Sequence, residues 1–194
     1  LVTAGEYLLI GEGDSYGSGA GGYRILAMNT NPGSADYHKN LVSLKGTGVE
    51  AARYGVAGMT LGPDGTTLVL TVPKSHTIYG NIQSGSGGEV WVLNLTSLNF
   101  KTGQIAAPIK ADLGGSGRVG QVPQSVSATK DRNQFLVSSV DDYNHGLATL
   151  TLTRDAVSAK VTAAKMVAIE MNQKSADVHV DRLNIQRAQS AVLV

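Results

Sequence analysis

The chain has no cysteine. That excludes disulfides, a thiolate metal site and a cysteine nucleophile. Aromatic residues are few: two Phe, one Trp and seven Tyr among 194 residues. Charge is sparse as well. Charged residues make up 16%, below the ~25% of an ordinary soluble domain. Lys and Arg number 16 against 15 Asp and Glu, a net charge of +1. Such a balance excludes nucleic-acid binding driven by bulk basic charge. No apolar run approaches the ~20 residues of a membrane-spanning helix. What is abundant is glycine, with 24 residues, over a 42% hydrophobic background. That apolar content excludes an acidic disordered tail and lets a chain of this size bury a core without cross-links.

Helix signals are scarce. Val157 to Glu170 is the best candidate, yet its flanks, Val161-Thr162 and Val167-Ala168-Ile169, favour a strand. Elsewhere short apolar or alternating runs end at Gly, Pro, Asp or Asn, which is the β signature. Tyr7 to Ile10 and Tyr23 to Met28 flank a Gly-rich stretch. Thr67 to Val72 and Glu89 to Leu95 repeat that arrangement, as do Gln134 to Ser139 and Leu147 to Leu152. Asp181 to Ile185 and Ala191 to Val194 open a fourth copy. With Leu8, Leu68, Phe135 and Val192 as equivalents, the spacings are 60, 67 and 57 residues. Val56 to Leu61 and Gln124 to Thr129 add a leading strand to the second and third copies. Leu41 to Leu44, Gln104 to Ile109 and Val161 to Ile169 add trailing strands. Four strands per unit at a fixed period mark a β-propeller blade. The expected units are 1–48, 49–118, 119–174 and a partial 175–194, thirteen strands in all. The fold class read from the sequence is therefore all-β, an incomplete β-propeller or a fragment of one. The start at Leu1 and the strand-like end at Ser190 to Val194 suggest the same.

Gly58-Met-Thr-Leu-Gly-Pro-Asp-Gly-Thr-Thr-Leu-Val-Leu-Thr-Val72, followed by Gly88-Glu-Val-Trp-Val-Leu-Asn-Leu-Thr96, resembles the repeat of YVTN-type bacterial surface propellers. The likeness covers residues 56–96 well and 122–153 fairly, and Asn94 stands where that repeat has Asp. It implies an exported bacterial protein, secreted, periplasmic or at the cell surface. It specifies a blade and no chemistry, since one fold hosts many functions.

Gly13-Asp-Ser-Tyr-Gly17 satisfies the nucleophile pattern G-x-S-x-G. It also resembles the Gly-Asp-Ser block of SGNH-type esterases, and Asp142-x-x-His145 resembles their Asp-x-x-His block. That likeness implies Ser15 as nucleophile with His145 as base and Asp142 as its orienting carboxylate; His179 is a second candidate base. Against it, Ser15 leads into Gly17 to Gly22 and another strand, and no Gly-x-Asn-Asp block supplies an oxyanion site.

The second-to-third-strand loops carry the other constellation. Asp14 and Tyr16 lie in the first, His76 and Tyr79 in the second, and Asp142, Tyr143 and His145 in the third. If the units are blades, all three loops emerge on one face. Loops on a rigid scaffold collect binding residues, and one Tyr per loop gives flat amphipathic contact area. These seven residues are the expected ligand-binding set, with a glycan, another protein or a second copy as partner. No cofactor is expected. Asp14, Asp141 and Asp142 carry the oxygen ligands that Ca²⁺ takes. Asn94-Leu-Thr96 matches a glycosylation sequon. The leading functional reading is a non-catalytic binding or structural module; serine-ester hydrolysis through Ser15 and self-assembly are the alternatives.

Overall fold

The computed structural model describes residues 1–11, 24–45, 56–73, 88–100, 104–106, 108–120, 123–139 and 146–169. Among them the chain is all-β, with two short 3-10 turns and no α-helix. The first sheet is a meander of β1 (Val2–Ala4), β2 (Tyr7–Gly11), β3 (Arg24–Asn29) and β4 (Asn40–Lys45). The second repeats it with β5 (Gly58–Leu61), β6 (Thr67–Val72), β7 (Glu89–Asn94) and β8 (Ile109–Lys110). After β8 comes β9 (Asp112–Gly115), and then a third meander of β10 (Ser125–Ala128), β11 (Gln134–Ser139), β12 (Gly146–Arg154) and β13 (Val161–Ala168). β9 joins the third sheet, pairing parallel with β13 at its outer edge.

The repeat read from the sequence is a repeat of register. Leu8, Leu68 and Phe135 stand opposite Met28, Leu93 and Leu150. One backbone bond recurs two residues outside each pair. The amides of Thr30, Leu95 and Leu152 donate to the carbonyls of Glu6, Thr66 and Asn133, each at 2.8 Å. The fourth copy, with Val192, lies outside the described residues.

Several strand assignments change. The first sheet has its own leading strand, β1, whose three residues are too few to show alternation in the sequence. The trailing strand of the second sheet shrinks to Ile109–Lys110, and Ile105 instead bridges Leu98. Asp112 to Gly115, absent from the strands expected above, is β9. A Cβ on Gly115 would stand 3.0 Å from the Met166 carbonyl oxygen, so glycine there permits the approach to β13. Val161 to Ala168 is a strand, as its β-branched flanks require.

Strand alternation gives each sheet two faces, and the second sheet buries both. Leu68, Leu70, Trp91 and Leu93 join Leu9, Ile25 and Ala27 of the first sheet in one core. Val69, Val90 and Val92 join Phe135, Val137, Ala148 and Leu150 of the third sheet in another. The leading strands also meet: β5 contacts β1 on one side and β10 on the other. A Cβ on Gly58 would fall 2.7 Å from the Gln124 carbonyl oxygen and 2.8 Å from Ser125 Cα. A side chain at Gly58 would therefore push β5 and β10 apart.

Candidate functional site at the loop end

Each sheet has a long connection between its second and third strands, spanning 12–23, 73–88 and 140–145. These connections leave beside one another. Val56, just ahead of β5, packs where a side chain on Gly11 would be, with its Cβ 2.8 Å from that position. Thr71 Oγ1 accepts the Gly58 amide at 2.9 Å and donates to the Gln124 carbonyl at 3.0 Å. The Gln124 amide donates in turn to Ser138 O at 2.9 Å, and the Ser125 and Ser138 hydroxyls lie 2.5 Å apart. Gly11, Thr71 and Ser138 are the stems of the three connections. Hydroxyl side chains fit this end because they satisfy backbone groups that no ladder reaches.

Two features here were not singled out from the sequence as polar sites. Glu89 opens β7 and is 3% exposed. Its carboxylate accepts the Trp91 indole N–H at 2.9 Å and Lys110 Nζ at 2.5 Å. Lys110 Nζ also lies 6.0 Å from the Trp91 ring centroid, within cation–π range. The group fixes the indole at the foot of the 73–88 connection. The only clue in the sequence is an acid two residues before the single Trp. Ser139, the last residue of β11, is fully buried, and its Oγ has no hydrogen-bond partner. Such a hydroxyl costs about 1–3 kcal/mol, and it sits at the foot of the third connection.

The predicted binding residues Asp14, Tyr16, His76, Tyr79, Asp142, Tyr143 and His145 all lie outside the described residues. So do Ser15, Asp141 and His179. What is described is their setting. The strand after Ser15 is β3, the antiparallel neighbour of β2. The connection is thus a hairpin, where a nucleophile elbow leads from strand into helix. Among the described residues, no three His, Asp or Glu cluster as a metal site would need. No helix there is long and apolar enough to cross a membrane.

The opposite end is built by the turns between first and second strands. In Gly62-Pro63-Asp64-Gly65, Gly65 takes φ +67° and its amide donates to Gly62 O at 2.9 Å. Asp64 Oδ1 accepts the Thr66 and Thr67 amides at 3.0 and 2.9 Å. Its Oδ2 accepts the Thr67 hydroxyl at 2.7 Å and Arg154 Nη2 at 2.8 Å. Arg154 also reaches the third sheet's own turn. Its Nε donates to Asn133 Oδ1 at 2.8 Å and its Nη2 to Arg132 O at 3.0 Å. Burial raises the Asp64 pKa, but the Thr67 hydroxyl, the two amides and Arg154 outweigh it and hold the carboxyl below its ordinary 3.8. The Pro-Asp-Gly turn thus joins two sheets. Asn94 of the sequon also has a local role, its Oδ1 accepting the Thr96 hydroxyl at 2.7 Å and capping a 3-10 turn.

No family model, curated protein or solved structure matches this chain.

Proposed function

We propose that the chain is a set of β-propeller-type blades serving as a non-catalytic binding module of an exported or cell-surface bacterial protein. One observation carries the reading. Three stacked sheets of the same register send their long connections out at the same end, from the adjoining stems Gly11, Thr71 and Ser138. Those connections hold Asp14, Tyr16, His76, Tyr79, Asp142, Tyr143 and His145. Latched sheets below set the spacing of the stems Gly11, Thr71 and Ser138, and tyrosines supply flat area at low entropic cost. The partner is a glycan or a protein surface.

The test is a glycan microarray probed with the full chain and with a Tyr16→Ala, Tyr79→Ala, Tyr143→Ala variant. A bound glycan whose affinity falls at least about tenfold in the variant is expected, since truncating an aromatic anchor costs about 1–2 kcal/mol. Binding that ignores all three changes would overturn the loop-face reading. Absence of glycan binding would leave a protein partner as the reading, to be sought by the same variant pair. Hydrolysis of p-nitrophenyl acetate that disappears in Ser15→Ala would replace the binding module with the esterase.

A further inference from the structure

Asn94-Leu-Thr96 is the one sequon of the chain, and the repeat supplies a comparison for it. Leu93 and Met28 hold equivalent places, and the amides of Leu95 and Thr30 make the equivalent backbone bonds. Asn94-Leu-Thr96 of the second sheet therefore answers to Asn29-Thr-Asn31 of the first. Both asparagines close the same turn. Asn29 Oδ1 accepts the Asn31 amide at 2.8 Å, and Asn94 Oδ1 accepts the Thr96 amide at 3.2 Å. The first turn forms with no hydroxyl two residues on, around an asparagine that is 4% exposed. The second has two features that closing the turn does not require. The Thr96 hydroxyl donates to Asn94 Oδ1 at 2.7 Å, and Thr96 is exposed. Asn94 is half-buried, and its Nδ2 donates no hydrogen bond. That nitrogen meets solvent, since Ser139 Oγ is the only side-chain polar atom among the described residues that is both buried and unpartnered.

We infer that Asn94 is a modification site and that its Nδ2 carries an N-linked oligosaccharide. The donor is a lipid-diphosphate-linked oligosaccharide. A bond forms between Nδ2 and the anomeric carbon, the anomeric carbon–oxygen bond breaks, and the lipid diphosphate leaves with the electron pair. The amide nitrogen gives up one of its two protons. Oδ1 remains a carbonyl oxygen after transfer, so both bonds that it accepts from Thr96 survive. The cap and the sugar thus use different atoms of one side chain. Asn94 ends β7 opposite Thr67, beside the Pro-Asp-Gly turn. The sugar is therefore attached at the end away from the stems Gly11, Thr71 and Ser138. The site rests on the exported reading proposed above, because this modification belongs to secreted chains.

Mass spectrometry of the chain purified from its native host tests this. Trypsin releases residues 75–101 as one peptide. That peptide should carry an oligosaccharide mass at Asn94. Peptide N-glycosidase in ¹⁸O-water should remove the sugar and leave a labelled aspartate at that position. Thr96→Ser should keep the sugar and Thr96→Ala should lose it. Thr96→Ala retains the amide that closes the turn, so a cooperative urea transition shows that the loss is not one of folding. A bare peptide overturns the inference, as does a sugar that fragmentation places on a Ser or Thr, or one that survives Thr96→Ala. Cell fractionation separates the two ways of failing. A bare peptide from an exported chain overturns the glycan alone, and a bare peptide from a cytoplasmic chain overturns the exported reading with it.

Discussion

At the turn end, the seam between the first and second sheets holds Tyr7 flat on Phe100, ring centroids 3.7 Å apart and planes 5° from parallel. The seam between the second and third holds Arg154 on Asp64, both side chains mostly buried. The aliphatic packing behind the two is the same in kind. They differ in how directional the closure is. A stacked ring pair tolerates sliding, and its attraction needs no formal charge. A guanidinium bonded to Asp64, Asn133 and the Arg132 carbonyl fixes two turns in one orientation, and it depends on a charge. Among the described residues the first sheet shows no equivalent of the latch: Glu6, in its turn, accepts Asn31 of its own sheet at 2.8 Å. One repeat thus gives one seam held by shape and another held by charge.

The sharpest way to break that contrast is to remove each closure. Arg154→Met leaves Asp64 buried without its cation and should cost about 3 kcal/mol, the lower end for a buried pair that loses one partner. Phe100→Leu keeps most of the apolar volume, so the loss should stay near the ring–ring term of about 0.5–1.5 kcal/mol. Urea unfolding of both variants measures the difference as a shift in midpoint at constant slope. Equal losses would show that the two seams are closed with similar strength.

Acid should separate the seams again. The folded state holds the Asp64 carboxyl below its ordinary 3.8, so folding favours the ionised form. Its contribution is complete above 3.8 and is lost as the pH falls through the lower folded value. Asp155, in the turn between β12 and β13, is lowered too by the Ser158 amide, the Ser158 hydroxyl and the Val157 amide. The acid limb of stability therefore holds both groups. Asp64→Asn should flatten it in part, while Phe100→Leu should lower stability at every pH and leave the limb unchanged. Unfolding midpoints between about pH 6 and about pH 3 decide this. An unchanged limb in Asp64→Asn would remove the charge from the account of this seam.

The strands were legible because alternation and β-branching are local properties, and Leu8, Leu68 and Phe135 kept their equivalence down to single backbone bonds. β1 and β9 were not legible. Three residues carry no period, and Gly114-Gly115 reads as loop until β13 is there to pair with it. The Pro-Asp-Gly turn was legible as a turn, but its role was not, because Arg154 lies 90 residues away. The same holds for Glu89 and Lys110, 21 residues apart, which only the pairing of β7 with β8 brings together. Sequence patterns reveal period and turn chemistry; long-range polar partners appear only when the sheets stack.

The finest test of the contrast uses the turns themselves. Gly5 and Gly65 hold equivalent places, at φ +58° and +67°, and a Cβ at either would meet nothing within 4 Å. Alanine at each should therefore cost only the left-handed backbone penalty of about 1–2 kcal/mol. If the closures are independent of turn strain, the two losses agree. The turns differ in what hangs on them, however. Gly65 follows the carboxylate that holds Arg154, whereas Gly5 precedes Glu6, whose described bonds go to Thr30 and Asn31 of its own sheet. Gly65→Ala should then be non-additive with Arg154→Met, since a turn already relieved of its latch has less geometry to lose. Gly5→Ala and Phe100→Leu should add. Urea midpoints of the four single variants and two double variants measure both couplings. Additivity in the Gly65 pair would mean that Arg154 senses the charge of Asp64 but not the shape of its turn, and would reduce the latch to an ion pair.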